Sequence, residues 1–174
     1  HTIPYDRRQA QLYSRKRRVA DWMTANLTSG QFIAVSQAVR EALQRELGIA
    51  PERIQVIPNS VDLQRFCPEP SERPMVRAAL GLTAETFVVL AVGRLIPDKD
   101  HATLIDAIER LRGRIPRLRL LIAGDGPLRG SLERLVRERS LQGVVTLLGT
   151  RSDVLSLYRA ADVFVLPSVR EGLP

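Results

Sequence analysis

Four clusters in the second half of the chain carry residue types suited to a phosphate-bearing ligand. Gly93-Arg94 precede Lys99 by a short loop, which pairs a forked guanidinium donor with a mobile ammonium. Two cations beside the amino end of a helix make a site for a diphosphate, because the helix dipole adds to both. Where a diphosphate departs in a reaction, such groups stabilise the charge that builds on it. Gly124-Asp125-Gly126-Pro127 offers glycines that let backbone approach a ligand or reach positive φ, with a proline suited to a first helical turn. Gly149-Thr150 gives backbone against which a flat base can lie. Glu171-Gly172 supplies a carboxylate that can accept from sugar hydroxyls, and the amides after it, beginning at Leu173, can point at a phosphate.

Each cluster also has a plainer reading. Arg94 and Lys99 can solvate a loop or pair with Asp98 or Asp100, and Asp125 can cap a tight strand-to-helix turn. Gly149 can simply turn the chain, and Glu171 can be an exposed acid. His1 and Cys67 have no partner in view and read as idle. Gly124 and Gly126 do not extend to GxGxxG, because the next glycine is Gly130, one place too late. A nicotinamide cofactor is therefore not expected.

The elements that must position these clusters emerge from apolar periodicity. Strands are predicted over 87–92, 118–123, 144–148 and 163–166, alternating with helices over 101–111, 128–139 and 153–160. Continuous Val, Ile and Leu runs between amphipathic helices imply an α/β unit whose parallel sheet is covered on both faces. Right-handed crossovers then bring every strand-to-helix loop to one edge, where the clusters converge. Upstream, a basic helix is predicted over 7–23, a strand over 32–35, a helix capped by Ser36 and ended by Gly48, and a strand over 54–57. Residues 62–74, rich in Pro68, Pro70 and Pro74, read as a linker, with a short helix over 76–80 after it.

At 174 residues the chain has room for one good core or two small ones. Its 26 basic and 19 acidic side chains leave +7, which favours an anionic partner: a phosphate-bearing ligand, a lipid surface or nucleic acid. Nucleic acid is the weakest of these, since the basic residues are spread over helices without interleaved aromatics. The Arg15-Lys16-Arg17-Arg18 run reads as a solvated helix face or as an attachment to anionic lipid. One cysteine and no CxxC or Cys/His cluster argue against a disulfide framework or zinc, and fit a cytoplasmic compartment. No apolar run approaches the ~20 residues that span a bilayer, so any membrane contact is expected to be peripheral. The ends read as interior to a longer protein.

Taken together, Val56-Ile57-Pro58-Asn59-Ser60-Val61-Asp62 with Phe66, Val92-Gly93-Arg94 with Lys99 and Leu104, and Ala123-Gly124-Asp125-Gly126-Pro127 form an ordered set. Leu148-Gly149, Ala161-Asp162-Val163, Pro167-Ser168 and Glu171-Gly172 complete it. In order and spacing the set resembles the GT-B-fold retaining glycosyltransferases usually called family 4, from about Gln31 onward. The resemblance implies two Rossmann-like domains: an acceptor-side remnant and hinge over 1–66, and a nucleotide-sugar donor domain over 67–174. It implies that Arg94 and Lys99 hold the donor diphosphate and that Gly93, Gly124, Asp125 and Gly126 line the donor pocket. The backbone at Gly149 and Thr150 would meet the nucleobase. Glu171 resembles the first glutamate of the EX7E motif, which touches the donor sugar, with Gly172 and Leu173 beside it; the second glutamate would lie past Pro174. Asp100 stands where the family commonly has glycine, a change expected to disturb little because the side chain can point to solvent.

The implied activity is transfer of a sugar from a UDP- or GDP-sugar to a carbohydrate or lipid-linked acceptor with retention of configuration. The setting would be polysaccharide or glycolipid synthesis at the inner face of the cytoplasmic membrane, with no metal or other cofactor. On this reading Arg94, Lys99 and Glu171 carry the chemistry, and the chain by itself is expected to lack turnover. The rivals are a nucleotide-binding or regulatory module without transfer and a nucleotide-sugar epimerase of the same fold.

Overall fold

A computed structural model describes residues 15–27, 30–169 and 171. The chain divides into two units, residues 1–61 with 170–174, and residues 62–169. The division falls a little before the expected 66/67 boundary. Asp62 opens a local turn whose carboxylate accepts from the amides of Gln64 (3.0 Å) and Arg65 (3.1 Å), so the turn belongs with the second unit.

In the first unit, α1 (Arg15–Leu27), β1 (Phe32–Ala34), α2 (Gln37–Leu47) and β2 (Ile54–Val56) surround a small core of Ala25, Ala34, Leu43, Ile49 and Ile54. The two strands pair in parallel with Phe32 opposite Ile54, and the Ile57 amide continues the ladder to the Ala34 carbonyl at 2.9 Å. Ser36 caps α2 as expected, its hydroxyl accepting from the Val39 amide at 3.2 Å. Gly48 ends the helix at φ 63°, in the left-handed region where glycine is unstrained. Asn26 ties α1 to the end of α2 through the Leu47 carbonyl at 2.8 Å. The backbone of Arg15, Lys16, Arg17 and Arg18 begins α1, while their side chains, and the expected helical residues 7–14, lie outside the described set.

The second unit carries α3 (Arg73–Ala79), β3 (Phe87–Val92), α4 (His101–Leu111), β4 (Leu118–Ala123), α5 (Arg129–Glu138), β5 (Val145–Gly149), α6 (Val154–Ala160) and β6 (Val163–Phe164). The strands form one parallel sheet in the order β5-β4-β3-β6. Side chains alternate across it. Val89, Ala91, Leu118, Leu120 and Ile122 share a core with Leu104, Ile105 and Ile108 of α4 and Leu132 and Val136 of α5. Val88, Leu90, Leu121 and Ala123 face the other way and pack with Leu157 of α6. Both faces are apolar because both are covered, which is why these strands read as unbroken hydrophobic runs. β3, α4 and β4 have the expected bounds.

Three differences have physical causes. β6 is shorter than the expected 163–166 because it lies at the sheet edge on β3 alone; its bonding ends with the Val165 amide on Leu90, ahead of Pro167, which has no N–H to give. α5 starts at Arg129 with Leu128 as its N-cap; the Leu128 amide, free of any intrahelical bond, donates to the Leu95 carbonyl (3.0 Å), and Pro127 lies in the turn outside the helix. α3 begins at Arg73, with Pro74 in its first turn in place of the linker.

Arginines fasten α3. Arg73 donates to the carbonyls of Arg159 (2.9 Å) and Ala161 (2.7 Å) and pairs with Asp162 (2.5 Å). Arg77 is buried, and its guanidinium is spent on the carbonyls of Ala160 (2.9 Å), Thr83 (3.0 Å) and Thr86 and on the Asp162 carboxylate (3.4 Å). Asp162 also accepts from the Val88 amide at 2.7 Å, so it joins α3 to the starts of β3 and β6. Removing the guanidinium takes a donor from the carbonyls of Ala160, Thr83 and Thr86 and leaves Asp162 with Arg73 and the Val88 amide. Arg77→Leu is therefore expected to cost about 3 kcal/mol in denaturant unfolding of the full-length protein.

Candidate functional site

The carboxyl ends of all four strands in the second unit are stitched together by backbone hydrogen bonds. After β3, the Gly93 amide donates to Ala123 (2.9 Å) and the Leu95 amide to Asp125 (2.9 Å). After β4, the Gly124 amide donates to Gly149 at the end of β5 (2.8 Å). Beyond β6, the Val169 amide donates to Asp98 (2.9 Å). The predicted clusters at 93–99, 124–127 and 149–150 therefore share one sheet edge.

Glycine at 124 and 126 is required by neighbouring backbone. Gly124 has φ 142°, and a Cβ there would sit 1.9 Å from the Gly93 carbonyl oxygen. At Gly126 a Cβ would fall 2.6 Å from the Leu95 carbonyl oxygen. Asp125 bonds the adjacent Gly126 amide (2.7 Å) and lies 3.8 Å from Arg129, whereas α5 has no side-chain cap. The plainer reading of Asp125 as a helix cap is thus not what the fold uses it for.

The β3–α4 loop carries both cations, Arg94 at its start and Lys99 at its end. Leu95 is fully buried and pins the loop, leaving Arg94 exposed next to it. A short 3-10 turn, Pro97–Lys99, then doubles back, so that a Cβ on Gly93 would lie 3.7 Å from Lys99 Cδ and 3.8 Å from Cε. The lysine stem therefore runs over the residue that precedes Arg94. Among the described residues neither Asp98 nor Asp100 pairs with Arg94, so of the two plainer readings the ion pair is not seen, while an exposed guanidinium over the loop is.

Asp100 takes a left-handed conformation (φ 42°, ψ 43°) and caps α4 by accepting from the Thr103 amide at 3.4 Å. Positive φ is the conformation that glycine adopts without strain, in keeping with the glycine that the resemblance implies at this place. Aspartate tolerates it and adds the cap, so its side chain is engaged and does not merely face solvent. Asp100→Ala keeps the Cβ and loses the cap; a loss of about 1–2 kcal/mol is expected by thermal or denaturant unfolding.

Three residues near this edge had no clear signal in the sequence. His101 opens α4, is buried, and sets Nε2 3.3 Å from the Arg94 carbonyl. Arg129 pairs with Glu133 (2.9 Å), and its Nη1 would lie 3.4 Å from a Cβ on Gly149. Arg151 grips Asp153 with two bonds (2.7 and 2.6 Å), which raises the arginine and holds the carboxyl below its ordinary range. The i, i+4 spacing of Asp125, Arg129 and Glu133 was the available hint for the second. Thr150 is exposed beside Gly149. Glu171 is exposed and groups with the first unit, while Gly172 and Leu173 lie outside the described residues.

A parallel sheet whose strand ends carry two cations, a helix amino terminus and closely packed glycine turns is the candidate ligand-binding edge of the second unit. The profile described as Glycosyl transferases group 1 matches residues 72–174, and that of Glycosyltransferase Family 4 matches residues 1–65. The chain belongs to the group 1 glycosyltransferase family and has the GT-B fold. It is 35% identical over 147 residues to the UDP-Gal:alpha-D-GlcNAc-diphosphoundecaprenol alpha-1,3-galactosyltransferase of Escherichia coli, covering 83% of this chain and 38% of that one. It is 36% identical over 153 residues to the D-inositol 3-phosphate glycosyltransferase of Kineococcus radiotolerans, covering 82% and 35%. Among solved structures, Anabaena Alr3699/HepE in complex with UDP and glucose matches with TM-score 0.80 at 28% identity, over 97% of this chain and 46% of that one. The chain spans about a third of the length of these curated relatives. Among the described residues no helix is long and apolar enough to cross a membrane.

Proposed function

We propose that the full-length protein carrying this chain transfers a sugar from a nucleoside-diphosphate sugar to an acceptor hydroxyl, and that residues 62–169 hold the donor. The observation that carries this reading is the return of Lys99 over Gly93 beside the exposed Arg94, at the edge where four strand ends meet. The forked guanidinium and the ammonium face the diphosphate, the amino end of α4 adds its dipole, and backbone at Gly149 and Thr150 receives the base. The leaving diphosphate is stabilised by these fixed positive charges, so the step requires no metal ion. Support for a UDP donor comes from the Anabaena structure, which holds UDP and glucose.

The finer parts of the reading are retention of configuration, with the acceptor attacking from the face the diphosphate leaves, and Glu171 against the donor sugar. A lipid-linked acceptor is supported by the name of the Escherichia coli relative, which acts on a diphosphoundecaprenol-linked sugar. The basic start of α1 suits a protein that works from the cytoplasm at an anionic membrane face.

The test is turnover by the full-length protein with UDP-, GDP- and ADP-sugars and an undecaprenyl-diphosphate-linked sugar, read by release of nucleoside diphosphate and by proton NMR of the product anomer. Acceptor-dependent release with the donor's anomeric configuration is expected. Binding of a nucleotide without consumption of any nucleotide sugar would overturn transfer in favour of a binding module. Conversion of donor without acceptor would identify an epimerase.

A further inference from the structure

The reading of Arg94 as a diphosphate ligand leaves open what holds that arginine in place. Its own side chain is exposed, so its aim depends on the backbone beneath it. That backbone is fixed on either side by Gly93 on Ala123 and by Leu95 on Asp125. Its carbonyl accepts two bonds, from the Ile96 amide at 3.0 Å and from His101 Nε2 at 3.3 Å.

His101 is an unusual choice for a position that is only 3% exposed. A carbonyl oxygen can only accept, so Nε2 must carry the hydrogen. Burial is the main influence on the ring and pushes it below its ordinary range. The Arg94 carbonyl and Asp100 oppose that shift, and Lys99 adds to it. A neutral ring with hydrogen on Nε2 has a bare Nδ1, and that atom is buried without a hydrogen-bond partner among the described residues. An unpaired buried acceptor costs stability that an apolar side chain of similar size would not. The fold thus accepts a local penalty at a side chain that reaches the Arg94 carbonyl.

We propose that His101 is a positioning residue for the donor diphosphate: Nε2–H, donating to the Arg94 carbonyl, fixes the backbone from which the Arg94 guanidinium is presented. The inference rests on the proposed donor site. It assigns His101 no contact with the substrate and no part in proton transfer.

The experiment compares wild-type full-length protein with His101→Leu and His101→Gln, measuring affinity for UDP, GDP and ADP by calorimetry alongside unfolding in denaturant. Leucine fills the space without a donor, whereas the glutamine amide can reach the carbonyl. For whichever diphosphate binds the wild type, the leucine variant is expected to bind about tenfold more weakly at unchanged or higher stability. Glutamine is expected to restore affinity to within about threefold. Affinity and stability moving in opposite directions is what a merely structural histidine would not produce. Should leucine prevent folding, His101→Asn, whose amide stops short of the Nε2 position, takes its place with the same expected loss.

Wild-type affinity in the leucine variant, or parallel loss of affinity and stability without rescue by glutamine, would overturn the inference alone. A wild-type protein that binds none of the three diphosphates would overturn the donor-site reading and this inference with it.

Discussion

Gly124→Ala is expected to destabilise the second unit by about 3–5 kcal/mol and to abolish nucleotide binding. The added Cβ would lie 1.9 Å from the Gly93 carbonyl oxygen and 2.8 Å from its carbon, and both are backbone atoms at the end of β3. No rotamer change relieves such an overlap. The β3 and β4 ends must separate, which strains the Gly93–Ala123 bond and the Gly124–Gly149 bond together. A φ of 142° adds backbone strain for any residue with a side chain. Gly130 is the internal control. It lies within α5, where a Cβ meets nothing within 4 Å, so Gly130→Ala is expected to stabilise by about 0.5–1 kcal/mol through helix propensity. Urea unfolding of the two variants of the full-length protein reads both signs, and equal effects would show that the glycine turn is not a packed junction.

Arg94→Ala is expected to lower kcat/KM by about 10²–10³-fold while changing stability by no more than about 0.5 kcal/mol. The side chain is exposed, and its loss removes neither core packing nor an ion pair with Asp98 or Asp100. The charge it meets is greatest as the diphosphate departs, so kcat should fall more than KM rises. Arg94→Lys should recover only part of the loss, because a point charge cannot reproduce the two parallel donors of a guanidinium. Steady-state kinetics on the three forms, with unfolding curves beside them, separates this role from a structural one. A loss of activity that tracks a loss of stability would contradict it.

The architecture of the second unit was legible because its strands are buried on both faces. Runs such as Val88-Val89-Leu90-Ala91 admit little but a parallel sheet, and their polar breaks mark the carboxyl ends. Ser36 and Gly48 marked their helix through cap chemistry that acts within a few residues. Long-range features were hidden. Nothing local showed that Arg73 and Arg77 would draw α3 back over the expected linker, since the acceptors that tie them to the end of α6 lie over 80 residues away at Ala160 and Asp162. His101 looked like an ordinary helix residue because its partner is a backbone carbonyl, which has no sequence signature. The glycines at 124 and 126 were recognisable as special. Whether ligand or protein backbone crowds them is a question of loop packing that spacing does not encode.

The most direct test of donor binding at this edge is a crystal structure of the full-length protein with UDP and with its donor sugar nucleotide. The diphosphate is expected at the carboxyl ends of β3 and β4, with the Arg94 guanidinium and the Lys99 ammonium both within hydrogen-bonding distance of its oxygens and the base against Gly149. A diphosphate bound elsewhere, or the two cationic groups directed away from it, would contradict that placement and the donor site built on it.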